Sequence, residues 1–191
     1  MNNNLFILIL TLLLVLSCNK PPNNPEKQEA AIYSLLIDKM AKPLPPPPPP
    51  PKDGSKPKSI NFDSINKVKM EIVVDTMMFN TSNTLDLQEE FSEFQMLVDS
   101  ISSLPVKPVK KEYLKSEKGH TLIFGRSLED SDTQYSQMLG ISPIAFNQQN
   151  NKAAVYAGHS THPLASYLKL YLLKKINEKW QIVFEKTIEV S

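Results

Sequence analysis

The sequence predicts an α+β fold, a mostly antiparallel sheet of about five or six strands with one or two helices packed on one face. Two observations carry that expectation. The second half of the chain is dominated by segments of period two, ending in "ASYLKLYLLKK" and "KWQIVFEKTIEV" joined by the tight turn Ile176-Asn177-Glu178. Two earlier stretches instead repeat their apolar residues at steps of three and four, the signature of an amphipathic helix. A cystatin- or NTF2-like arrangement is the topology expected from this order.

Taken in order, the chain opens with an apolar run from Leu5 to Leu16 closed by Ser17, Asn19, Lys20 and two prolines. A bilayer core needs about 20 apolar residues, so the run suits a signal peptide over residues 1–17 better than a spanning helix. The tetrad Val15-Leu16-Ser17-Cys18 resembles the lipobox of bacterial lipoproteins, in which the cysteine sulfur is acylated and the chain is cut before it. Cys18 is the only cysteine, so it has no internal disulfide partner and is the expected lipidation site. Each buried acyl methylene contributes roughly 0.8 kcal/mol, so two or three chains of the palmitate type hold a domain on a membrane. Asn19, where an Asp often means inner-membrane retention in the lipoprotein pattern, points to the outer membrane of a bacterial cell envelope.

A Pro/Asn-rich tether, residues 18–25, precedes "EKQEAAIYSLLIDKMAK", residues 26–42, which reads as a helix. Acids fill its first turn and lysines its last, and Ile32, Leu35, Leu36 and Met40 share a face that must dock on something. Residues 43–59 form a linker containing seven consecutive prolines, Pro45 to Pro51. Such a run is locked into a left-handed extended helix, read as a stiff spacer or as a ligand for an aromatic groove. The globular α+β domain is expected over residues 60–191.

Within it, "VKMEIVVDTMMF" places Val68, Met70, Ile72 and Val74 on one face and Lys69, Glu71 and Asp75 on the other, a half-buried strand. "NTSNTLDLQEEFSEFQMLVDSISSLP" is the clearest helix, with Leu87, Phe91, Phe94, Val98 and Ile101 on one stripe, Asn83 or Thr84 as cap and Pro105 as stop. A polar, lysine-rich connection leads to the short strand "HTLIFG" and a second polar stretch, "RSLEDSDTQYSQ". The remainder reads as an antiparallel meander of "ISPIAFN", "KAAVYAG" and the final hairpin. In the last strand Trp180, Ile182, Phe184, Ile188 and Val190 alternate with Gln181, Glu185, Thr187 and Glu189, which predicts one solvated sheet face.

The end of the chain is similar to that of uncharacterised lipoproteins of Bacteroidetes. Those chains carry an Ile-Ser…Phe-Asn…Ala-x-Val-Tyr segment, a Tyr-Tyr-Leu-Leu-x-Lys strand, an Asn-Gly-Lys-Trp turn and a terminal Ser. Phe146, Asn147, Lys152, Ala153, Val155, Tyr156, Leu172, Leu173, Lys179, Trp180 and Ser191 fit that pattern. Glu178 stands where the turn glycine belongs, and "GHSTHPLAS" replaces a Gly-rich link. The resemblance implies localisation and fold, and no activity.

The 21 basic and 20 acidic side chains leave no global field to attract nucleic acid, which is therefore not an expected partner. The most chemical stretch is "GHSTHP", read as a polar hairpin loop: His159 and His162 as potential ligands, Ser160 as a potential nucleophile. Zinc wants three or four ligands, and only His120 remains as another His. A serine nucleophile wants an oriented base and an oxyanion hole, and no Gly-x-Ser-x-Gly elbow is present. "EDSD" at 129–132 fails the calcium-loop template, since Tyr135 stands at the turn glycine and Ile141 at the bidentate Glu. Glu71 and Asp75 imitate a carboxylate pair, as alternating residues on an exposed strand do by default. Lys107, Lys110, Lys111, Lys115 and Lys118 read as a solvated connection or a patch toward an anionic envelope surface.

The functional expectation is a lipid-anchored, non-enzymatic envelope module with no metal and no cofactor, meeting the membrane through Cys18 and a protein or ligand partner through the sheet or residues 158–166. The alternatives are a His/Ser-dependent hydrolase using that loop, or an immunity-type inhibitor of a secreted toxin.

Overall fold

The computed structural model describes residues 24–43, 67–83, 85–125, 137–162 and 165–190. Cys18, most of the proline linker and the acidic 129–132 stretch lie outside them. Helix α1 (Pro25–Met40) begins as its sequence dictates: Pro25 fills the first position, and the Asn24 side chain accepts from the Glu26 and Lys27 amides. Strands β1 (Glu71–Asp75), β2 (Thr121–Gly125), β3 (Gln137–Ile141), β4 (Ala145–Phe146), β5 (Lys152–His162), β6 (Ala165–Ile176) and β7 (Lys179–Val190) form one seven-stranded sheet. Its order is β2-β1-β3-β5-β6-β7, with β4 paired to β5. The α+β class is thus as expected, and most pairings are antiparallel.

One edge departs from the meander. β1 lies between β2 and β3 and is parallel to both. Ile72, Val73 and Val74 are all fully buried, so β1 is a central strand covered on both faces, not the half-buried strand its alternation suggested. β3 also starts at Gln137, inside what reads as a polar stretch.

Two cores lie on opposite faces of the sheet. On one, Ile32, Tyr33, Leu36, Ile37 and Met40 of α1 pack against Ile72, Val74, Leu139, Val155, Tyr171, Leu173 and Trp180. On the other, Phe94, Val98 and Ile101 pack against Ala154, Tyr156, Leu170 and Leu172. The second helical segment is a composite: a 3₁₀ turn (Glu89–Phe94), the short helix α2 (Gln95–Ser100) and another 3₁₀ turn (Ile101–Ser103). It starts later than the sequence suggests, because the Gln95 side chain binds the Leu87 amide and the Leu85 carbonyl and holds 85–87 extended across the sheet.

β7 accounts for the face expected to be solvated. Register shifts opposite Leu172/Leu173 and Leu168/Lys169 insert extra residues into it. Trp180 and Ile182 therefore pack in the α1 core, while Phe184 and Ile188 pack in the other. A strand that reads as one-sided supplies both cores.

Helix α1, expected to dock on something and set apart from the 60–191 domain, packs into the sheet's own core. The buried Asp38 carboxylate accepts from Ser116 Oγ at 2.6 Å and the Glu117 and Lys118 amides at 2.8 and 3.2 Å. Trp180 Nε1 donates to Gln28 at 2.9 Å, and Tyr33 Oη donates to the Leu139 carbonyl at 3.2 Å. Ion pairs Glu29–Lys107, which is part-buried, and the more exposed Glu26–Lys110 and Lys39–Glu185 add staples. Three lysines of the supposed basic patch, Lys107, Lys110 and Lys115, are thus paired with Glu29, Glu26 and Glu117.

Candidate groove at the end of the sheet

Residues 158–162 are strand, not loop, and they meet β6 across Gly158↔Leu168, His159↔Tyr167 and Ser160↔Ser166. Successive strand residues point to opposite faces. His159 accordingly joins the α1 side, where its ring stacks on Tyr167 at 4.7 Å between centroids. Ser160 belongs to the opposite face with Gly158, so strand geometry separates the nucleophile and base the hydrolase reading needs. His162 ends β5 beyond a register shift; only its backbone pairing with Ala165 is described.

His159 is only 8 % exposed and sits 2.8 Å from Gln137 Oε1 through Nε2. Gln137 Nε2 in turn donates to the Lys42 carbonyl, so Oε1 faces the imidazole as an acceptor. The network therefore assigns the hydrogen to Nε2 and the lone pair to Nδ1. Burial, and then the Lys169 charge, push the imidazole pKa down to about 4. A neutral imidazole committed to Gln137 is a structural donor that ties β5 to β3 and to the end of α1, and a poor general base near neutral pH.

The composite helix covers the centre of the opposite face and leaves this end to Phe79. An open groove of about 730 Å³ lies there. Its floor is Gly140 and Gly158, paired across β3 and β5. Phe79 lies on the glycines: a Cβ added at Gly140 would meet its ring at 3.3 Å. Met138, Leu168 and Ile188 line the groove, with Ser160, Ser166 and Glu189 as polar points. Glu189 accepts from the Asn83 side chain at 3.1 Å.

The remaining candidates do not converge on it. His120 is buried beside the start of β1, where its Nδ1 accepts from the Met70 amide at 3.2 Å and its Nε2 has no partner. Burial lowers its pKa. Asp75 caps its own strand by accepting from the Met77 amide. Among the described residues no group of three His, Cys, Asp or Glu could hold a metal ion. A second groove of about 760 Å³ runs beside α1, lined by Lys27, Leu35, Tyr113, Lys115 and Trp180, with acids and lysines intermingled.

No protein-family model, no curated protein and no solved structure matches this chain. The site therefore rests on its own geometry. Sequence reasoning selected 158–166 for its His and Ser residues, and Gly158, His159, Ser160 and Ser166 of that segment line the groove, but as strand residues and a glycine floor. It missed Gln137, Phe79 and Glu189. Gly140 and Gly158, each isolated within its strand, were the available signal, since an isolated strand glycine marks close approach of another group.

Proposed function

We propose that this chain is a lipid-anchored envelope protein whose domain binds a ligand in the groove over Gly140 and Gly158, without catalysing a reaction on it. One observation carries the reading: the sheet face is covered by the composite helix at its centre and left open at one end, giving a concave apolar site with few polar points. The hydrolase alternative lacks support from the strand geometry, since His159 is neutral, hydrogen-bonded to Gln137 and turned away from Ser160. No helix among the described residues is long and apolar enough to cross a membrane. The anchor is the Cys18 thioether, with the outer membrane as the favoured surface.

Two experiments test the two halves. Metabolic labelling with a clickable palmitate tags the wild-type chain and leaves Cys18→Ala untagged; equal labelling of both removes the anchor. For the groove, the full chain is incubated with a small-molecule extract of envelope fractions and examined by native mass spectrometry. A bound mass present on wild type and absent from Leu168→Trp, a substitution that fills the groove, supports the reading. Identical spectra for the two proteins overturn it.

A further inference from the structure

We propose that the groove takes a small primary amine on a flat apolar body, with Glu189 as the ammonium site. The inference rests on the groove being the ligand site and adds its chemical class. Glu189 is the one carboxylate among the described lining residues, and no Lys or Arg among them lines the groove with it. Among the described residues none forms an ion pair with Glu189, in contrast to Glu93 with Lys152 and Lys174 or Glu185 with Lys39 and Lys169. A carboxylate offers about four acceptor positions, and the Asn83 amide uses one while orienting the group. His159, the other titratable group at the rim apart from the Tyr167 phenol, is held neutral by burial and adds no opposing charge near pH 7. The body of the ligand is set by the walls: Phe79 above two glycines, with Met138, Leu168 and Ile188 around it, favour a planar apolar group sliding along the Phe79 ring. The open groove, about 730 Å³, has room for a small molecule lying along its floor.

Three probes sharing one indole body separate charge from shape: tryptamine, neutral 3-ethylindole and indole-3-propionate. They are titrated calorimetrically into the full chain in lipid nanodiscs, with empty discs as reference. Glu189 is exposed, so tryptamine is expected to bind about three- to fivefold more tightly than 3-ethylindole, and indole-3-propionate most weakly. Glu189→Gln brings tryptamine down to the 3-ethylindole level and leaves 3-ethylindole unchanged. Leu168→Trp, or Ile188→Trp if the former does not fold, abolishes binding of all three. Equal affinities, preference for the anion, indifference of tryptamine to Glu189→Gln, or no binding by any probe each overturns the amine assignment. If probes bind alike and the tryptophan variants still lose them, only the charge assignment fails; the groove itself fails when the extract experiment also shows no difference.

Discussion

Asn177 and Glu178 both hold left-handed backbone, with φ of 49° and 62°, and close the β6–β7 hairpin as a two-residue turn. That geometry matches the twist of the flanking strands, and glycine is its preferred second residue. Glu178→Gly is therefore expected to stabilise the protein by about 1 kcal/mol, measured by urea denaturation. The exposed Lys175–Glu178 pair lost in the exchange is worth little. Two buried polar residues make the opposite case. Asp38→Ala strands one hydroxyl and two amides of the 116–118 turn, and a loss of roughly 3 kcal/mol is expected in the same assay. His159 links stability to pH. Its folded pKa of about 4 lies below the ordinary 6.5, so the unfolded chain takes up a proton first as pH falls. Its contribution is complete above pH 6.5 and is lost progressively down to about 4, roughly 3 kcal/mol in all. Denaturation midpoints measured between pH 7 and pH 4 should show that slope, and His159→Gln should flatten it; parallel curves for the two proteins would remove the imidazole from the balance.

At the level of elements, the hairpin was the most legible part, because its alternation, its turn and its Trp180 anchor all lie close together in sequence. The β1 environment was not. Whether a short run such as Ile72-Val73-Val74 is covered on one face or two depends on strands and helices distant in the chain. The bulges of β7 were equally hidden: period two holds on each side of Val183, and only the register against β6 shows that the faces exchange there. Deleting Val183 should therefore remove the bulge and leave Ile182 and Phe184 as neighbours on their present opposite faces, so the near-ultraviolet circular dichroism should be retained; its loss would argue against this register. For α1 the apolar stripe was readable, but not its membership of the main core. Leu36 is 1 % exposed there, so Leu36→Ala should cost about 2–5 kcal/mol in denaturation experiments, whereas a solvated stalk helix would lose almost nothing.

Across the whole molecule, exposed ion pairs connect the layers: Lys39 and Lys169 meet at Glu185 on the α1 side, and Lys152 and Lys174 meet at Glu93 on the other. Hydrogen bonds from Lys152, then Lys174, hold the Glu93 carboxyl below the usual range. The groove was half legible from sequence. Its segment stood out by residue type, yet its shape comes from where the composite helix stops, which no local pattern encodes.

The docking of α1 also sets a compass bearing. Gln28, near its first turn, meets Trp180 at the hairpin end of the sheet, whereas Lys42, just past its last turn, meets Gln137 at the groove end. Those ends are roughly 30 Å apart along β7. Cys18 lies six positions before Asn24, a leash of about 20 Å at full stretch. An acylated Cys18 would thus keep the hairpin tip nearest the lipid headgroups and hold the mouth over Gly140 and Gly158 on the distal pole, looking out into the aqueous compartment.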